Sequence, residues 1–268
     1  MKPSFIIPPY ANFLLTDEVM FNIQNDVNDD PIAGKKLQNK EKVSVMQYAN
    51  GERRFVILLP VKVENGFIQG IFPDPVLLYL ETAEKMLLTS QVIIQRGFPD
   101  SVTPTLDGET RIYDATSDAT SGIFNSILQY RICSIIMLHA AVEAFINELI
   151  PDDISYPTTD KEGNPAYLGK EKVFWLPFVE KLKKVIPYVK NIDLVGLYPD
   201  IVDKIDFISQ IRNGFVHLKS ESSEVLNQSH STTFYEMLKL NLEMYFESVH
   251  DLINLLKPGY LKYHQDSG

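Results

Sequence analysis

Arg212, Asn213, Gly214 and His217 stand within six residues of one another. Arginine offers a permanent planar cation with paired donors, and histidine exchanges protons near neutral pH. Together the two would combine charge stabilisation with proton transfer. On a helix, the five steps from Arg212 to His217 turn about 140° and rise about 7.5 Å, so one helix cannot aim both side chains at one atom. Two copies crossed about a two-fold axis could set the arginine of one beside the histidine of the other, so a homodimer is the expected unit. Asn213 precedes His217 by four residues and shares its face. Gly214 costs about 1 kcal/mol against Ala in a helix interior, and is easiest to explain if another backbone or a phosphate comes close.

An arginine, a polar residue directly after it and a histidine a few residues on form the signature of the HEPN superfamily. Upstream, the run Leu138-His139-Ala140-Ala141-Val142-Glu143-Ala144-Phe145-Ile146-Asn147-Glu148-Leu149 resembles the Ala-x-Glu-Ala-Phe-x-Asn helix that many HEPN domains place before the motif helix. The resemblance covers roughly 117–258 and does not reach the first hundred residues. It implies an up-and-down helical bundle, dimerisation through the motif helix, and metal-independent cleavage of single-stranded RNA that needs no cofactor. In that reaction the ribose 2′-hydroxyl attacks the adjacent phosphorus, leaving a 2′,3′-cyclic phosphate and a 5′-hydroxyl. His217 would move protons, Arg212 would face the phosphate as charge builds on it, and Asn213 would bond the phosphate or orient His217. Glu143 and Asn147 would support the motif helix, with a role for Glu143 beside the active site equally open. In one toxin branch of the family a partner modifies a tyrosine two residues after the histidine; Lys219 stands at that position here.

Between Lys170 and Lys190 there are six lysines against two glutamates. This window reads either as a solvated helix face or as an RNA-backbone contact, for which Lys181, Lys183 and Lys184, with Lys219, are the candidates. His139 and Glu143 at i and i+4 could share a metal, but no third ligand has recognisable spacing, so no metal site is expected. His230, His250 and His264 stand isolated and read as solvated. Trp175, with Phe174 and Phe178, reads as core in preference to a base-stacking platform. No glycine-rich phosphate loop or nucleophile elbow is present.

The elements that must position these residues follow from periodicity and stop signals. Over 199–218, Ile201, Ile205, Ile208, Ile211, Phe215 and Leu218 draw one apolar stripe; Pro199 suits the first helical position, and Asp200 and Asp203 suit the positive end of the dipole. A long apolar helix is expected over 120–150, built on Phe124, Ile127, Leu128, Ile135, Leu138, Val142, Phe145 and Leu149 and ended by Pro151. A helix over 170–189 should be kinked or split by Pro177 and Pro187. The last helix, over 232–256, turns Phe234, Leu238, Tyr245, Val249, Leu252 and Leu256 inward, after a polar loop over 219–231. Four main helices in this order suggest an up-and-down bundle.

Residues 1–75 differ. Short β-rich runs at 4–7, 42–48, 53–62 and 66–72 dominate, and Asn50-Gly51 and Asn65-Gly66 predict a three-stranded antiparallel meander. Between the first two runs, 17–40 reads as a loop or frayed helix. Asp74-Pro75 opens a helix to about Arg96, which Gly97 stops, and 98–117 reads as an exposed connection. The expected class is therefore α+β: a β-rich N-terminal part with one helix over 1–100, and a helical HEPN-like domain over 117–258.

The 268 residues, 45% hydrophobic and 22% charged, describe an ordinary globular chain. Cys133 is its single cysteine, which rules out an intrachain disulfide. No signal-peptide layout or membrane span is expected, and the cytoplasm is the expected compartment. A net charge of −10 argues against a general nucleic-acid coat and leaves room for a local basic pocket. Two functional readings follow. The first is a homodimeric HEPN endoribonuclease acting on RNA in defence or growth arrest, with a protein inhibitor as a possible partner; the defence context comes from the family alone. The second is a non-catalytic HEPN-like interaction module whose N-terminal part recognises a partner.

Overall fold

The computed structural model describes residues 42–47, 53–64, 66–71, 74–99, 102–107, 109–114, 118–216 and 226–261. The run at 4–7, the 17–40 segment, Asn50, Gly51, Asn65, His217, Lys219 and most of the polar loop after them lie outside the described residues. The protein is mixed α and β, with helices predominating. It divides into two compact units, one holding the first three strands and the other spanning 75–261.

In the first unit, β1 (Lys42–Gln47), β2 (Arg53–Val63) and β3 (Gly66–Ile71) form an antiparallel sheet in the order β1-β2-β3. Lys42 pairs with Leu58 across β1 and β2, and Val63 pairs with Gly66 across β2 and β3. The pairing closes on Val63 and Gly66, one residue ahead of the 64 and 67 pair that a two-residue turn centred on Asn65-Gly66 would give.

The second unit begins with α1 (Pro75–Arg96), which Gly97 ends at φ +67° in the left-handed region where glycine is free of a Cβ penalty. The division between units thus falls ahead of α1, not within 98–117. That connection carries a small hairpin of β4 (Thr105–Asp107) and β5 (Thr110–Ile112). Next comes α2 (Asp118–Glu148), long and apolar enough by composition to cross a membrane. It lies along α1, and the Ser134 hydroxyl donates to the Ala83 carbonyl at 2.9 Å inside their interface.

The 152–169 segment, expected as a loop, folds into a hairpin of β6 (Tyr156–Thr159) and β7 (Pro165–Leu168). Its turn is closed by the Asp160 carboxylate, which accepts from the backbone N–H groups of Glu162 and Asn164, while Gly163 takes φ +86°. The expected 170–189 helix is split, as its prolines dictate. Lys170–Phe174 forms α3 and Phe178–Glu180 forms α4, with Pro177 between them; a π-turn over Lys181–Val185 leads into α5 (Ile186–Lys190). Pro187 cannot donate a backbone hydrogen bond, and the wider π register lies directly ahead of it. After the short α6 (Leu194–Leu197) comes α7 (Pro199–Val216), the motif helix.

The expected last helix is two helices, α8 (Leu226–Lys239) and α9 (Leu242–Leu256). No glycine or proline marks the break. Arg131 of α2 reaches into it, and its guanidinium donates to the carbonyls of Met237 at 3.2 Å and Leu240 at 2.7 Å. The Met237 carbonyl also accepts from the Leu240 N–H at 3.2 Å, and carbonyls at a helix end favour a nearby cation. Because of the break, the inward face changes phase. Met237, Leu242 and Phe246 are buried, Leu238 is exposed, and Tyr245 is half-buried.

The core joins Leu138, Val142, Phe145 and Ile146 of α2 with Val202, Ile205 and Ile208 of α7 and Val249, Leu252 and Ile253 of α9. α7 packs against α2, α8 and α9, and α4 touches it from the side. His250, expected in solvent, is largely covered, its Nε2 3.3 Å from Glu84 of α1.

Candidate functional site

On α2, residues 139, 143 and 147 recur every four positions and so share one face. On α7, residues 212 and 213 follow 209 by three and four positions, so each neighbours Ser209 on the helix surface. These faces, closed on the third side by the α3–α4 turn, border a cleft of about 440 Å³. Its lining includes His139, Glu143, Ser209, Arg212, Asn213 and the aromatic turn around Trp175. That volume falls within the usual range for small-ligand pockets.

Arg212 is half-buried and Asn213 exposed. Arg212 Nη1 donates to Asn213 Oδ1 at 2.9 Å. The asparagine oxygen therefore orients the guanidinium and leaves the remaining guanidinium donors and the amide NH₂ for a ligand. Ser209, one turn back, is buried beside them. A planar cation next to amide and hydroxyl donors in a concave site suits an anion such as a phosphate. Glu143 supplies an acceptor that could receive a hydroxyl proton.

Behind Glu143 lies Lys181, 1% exposed. Its Nζ donates to Asn147 Oδ1 at 2.9 Å and to the Phe174 carbonyl at 3.3 Å, and lies 3.5 Å from Glu143 Oε1. One ammonium thus ties α2 to the turn between α3 and α4. Its three polar neighbours offset the desolvation that burial imposes. The sequence places Lys181 among candidate RNA-backbone contacts; the fold turns it inward, where it cannot meet a phosphate backbone. Lys183, half-buried, is paired with Asp206 of α7. Lys184 is exposed, with Glu180 at 3.7 Å. Lys219 and His217 lie outside the described residues.

His139 is the residue that sequence reasoning undervalued. Its ring is 4% exposed, lies 4.6 Å from the Phe178 ring, and brings Nδ1 within 3.9 Å of Glu143 Oε2. Nε2 is buried without a hydrogen-bond partner. Burial pushes the imidazole down to about 4; Arg212 and Lys181 push the same way, and Glu143 opposes them. The ring is therefore neutral at pH 7, poorly matched to donating a proton there. Its position four residues before Glu143 and eight before Asn147 was the available signal, and it reads equally well as an ordinary core position.

Trp175 departs from its expected place in the core. It is 89% exposed, Phe174 is 39% exposed, and only Phe178 of the three is buried. Among the described residues no group of three or more His, Cys, Asp or Glu side chains is placed to hold a metal ion. No family model, curated protein or solved structure matches the chain.

Proposed function

We propose that this protein is a cytoplasmic, metal-independent endoribonuclease on a HEPN-like helical bundle, cutting single-stranded RNA to 2′,3′-cyclic phosphate and 5′-hydroxyl ends in defence or growth arrest. The observation that carries this reading is the meeting of Arg212 and Asn213 with Glu143 around one cleft. These are the two stretches that carry the family resemblance, some seventy residues apart in the chain, and both border the cleft.

The chemistry follows from the side chains. Arg212, held by Asn213, stabilises the extra negative charge on the phosphoryl oxygens as the ribose 2′-hydroxyl attacks. The P–O5′ bond breaks as the P–O2′ bond forms. His217 transfers protons between the hydroxyl and the leaving oxygen, since an ordinary imidazole titrates near neutrality. His139, driven to about 4, is unsuited to that part and serves as a neutral wall of the site. Dimerisation through α7 would bring the arginine of one protomer to the histidine of the other, because on a continuous helix five residue steps would set the two about 140° apart.

The deciding experiment compares the wild type with Arg212→Ala and His217→Ala, assaying RNA cleavage and growth arrest with EDTA present. Cleavage by the wild type alone, with cyclic-phosphate ends, is expected. Equal, negligible cleavage by all three sinks the nuclease and favours the interaction module. A strict monomer in solution removes the composite site.

A further inference from the structure

Trp175 is the one tryptophan of the chain, and it stands almost wholly in solvent. An indole buries a large apolar area when it can, so one left open beside a polar cleft needs a reason. The turn that presents it is tightly held. Trp175 caps α3, its N–H bonding the Lys172 carbonyl at 3.2 Å, and Pro177 fixes the backbone two residues on. The Phe174 carbonyl is clamped from below by buried Lys181, which also holds Asn147. The ring is thus displayed from a pinned support, and Phe174, partly exposed, adjoins it.

We propose that Trp175 is a stacking platform for a nucleobase of single-stranded RNA whose phosphate lies on Arg212. This rests on the ribonuclease reading for its substrate class and adds a binding subsite to it. Three observations select a nucleobase strand. Trp175 and Arg212 line the same cleft, so a π-face and a phosphate-binding fork are offered together. The charged side chains lining the cleft are Arg212 and Glu143, and the buried Lys181 ammonium lies 3.5 Å behind Glu143, so the one negative charge beside the arginine is countered from within the fold. A flat ring is tolerant of base identity, and the lining on either side of it, Phe174, Leu176, Pro177, Phe178 and Val179, carries no side-chain hydrogen-bonding group to read a base edge.

The single tryptophan makes intrinsic fluorescence a direct report on this position. The probe is a single-stranded oligomer of about eight nucleotides with 2′-O-methyl riboses, which removes the attacking hydroxyl, beside an abasic phosphodiester of equal length and charge. The full-length protein should show strong quenching with the first and none with the second. By anisotropy of labelled oligomer, Trp175→Ala should bind about 10-fold more weakly while Trp175→Phe keeps most of the affinity. Because the side chain makes so little contact with the fold, both variants should retain the wild-type circular dichroism.

Binding without any change in Trp175 emission, and with Trp175→Ala unaffected, overturns the platform and leaves the ribonuclease reading standing. Absence of oligomer binding overturns it too. An emission blue shift that grows with protein concentration, with a fall in solution mass for Trp175→Ala, would show that a second copy covers the ring, and also overturns it. Quenching by the 2′-O-methyl oligomer together with failure to cut the 2′-hydroxyl RNA would keep the platform and remove the nuclease.

Discussion

Acidification from pH 7 to pH 5 should cost this protein about 2 kcal/mol of folding stability through His139 alone. The ring is buried, and its neighbours are Glu143 on one side and the cations Arg212 and Lys181 on the other. Its folded value of about 4 lies below the ordinary 6.5, so between those two values the unfolded chain holds the proton more tightly. The stabilisation is complete above pH 6.5, falls as pH drops through that window, and is gone below pH 4. At one pH unit per 1.36 kcal/mol, the whole fall is about 3 kcal/mol, most of it accumulated by pH 5. Urea unfolding followed by far-UV circular dichroism at the two pH values measures it. Carboxylates also titrate in this range, so the comparison is with His139→Gln and His139→Phe, which keep the carboxylates and lose the imidazole. Both variants should show a pH dependence shallower than the wild type by about 2 kcal/mol. Parallel slopes within about 0.5 kcal/mol would refute the reasoning, because they would place His139 where water or a partner can compensate its proton. The titration of its ring protons by NMR gives the same quantity directly.

Other perturbations test the frame of the site. Lys181→Met leaves Asn147, Glu143 and the Phe174 carbonyl without their shared donor. A loss of about 2 to 4 kcal/mol is expected in urea unfolding, the upper end softened because Glu143 can reach water; a loss under about 1 kcal/mol would mean that the ammonium contributes little. A Cβ on Gly214 would sit 3.0 Å from Thr233 Cγ2. Gly214→Ala should therefore realise its helix-propensity gain of about 1 kcal/mol only when Thr233→Ser has removed that methyl. A double-mutant cycle should show coupling of about 0.5–1 kcal/mol, and strict additivity would argue that α7 and α8 do not approach so closely.

Much of the helical layout was legible because it is written in local signals. Asp74-Pro75 and Gly97 bracket α1, Pro199 starts α7, and Pro177 splits the segment expected as one helix over 170–189, each through backbone geometry that acts over a few residues. The two small hairpins were missed because their strands are three and four residues long, too short for alternation to register. The glycine at 214 was expected to admit a backbone or a phosphate. What approaches it is the Thr233 side chain of α8.

By itself the sequence determined the helix-rich α+β class, most helix limits, the three-stranded meander and the stretches that border the cleft. Which side chains face the cleft was decided only in the folded chain. Lys181, Lys183 and Lys184 are equivalent as residue types, yet one is buried on Asn147, thirty-four positions away, one pairs with Asp206 and one is exposed. The α8–α9 break depends on Arg131, one hundred and nine positions from Leu240. Trp175 has the composition of a core residue and is turned outward by a clamped loop. The physical reason is one of range: backbone propensity and capping act within a turn or two, whereas burial is settled by whichever distant partner can satisfy or cover a group.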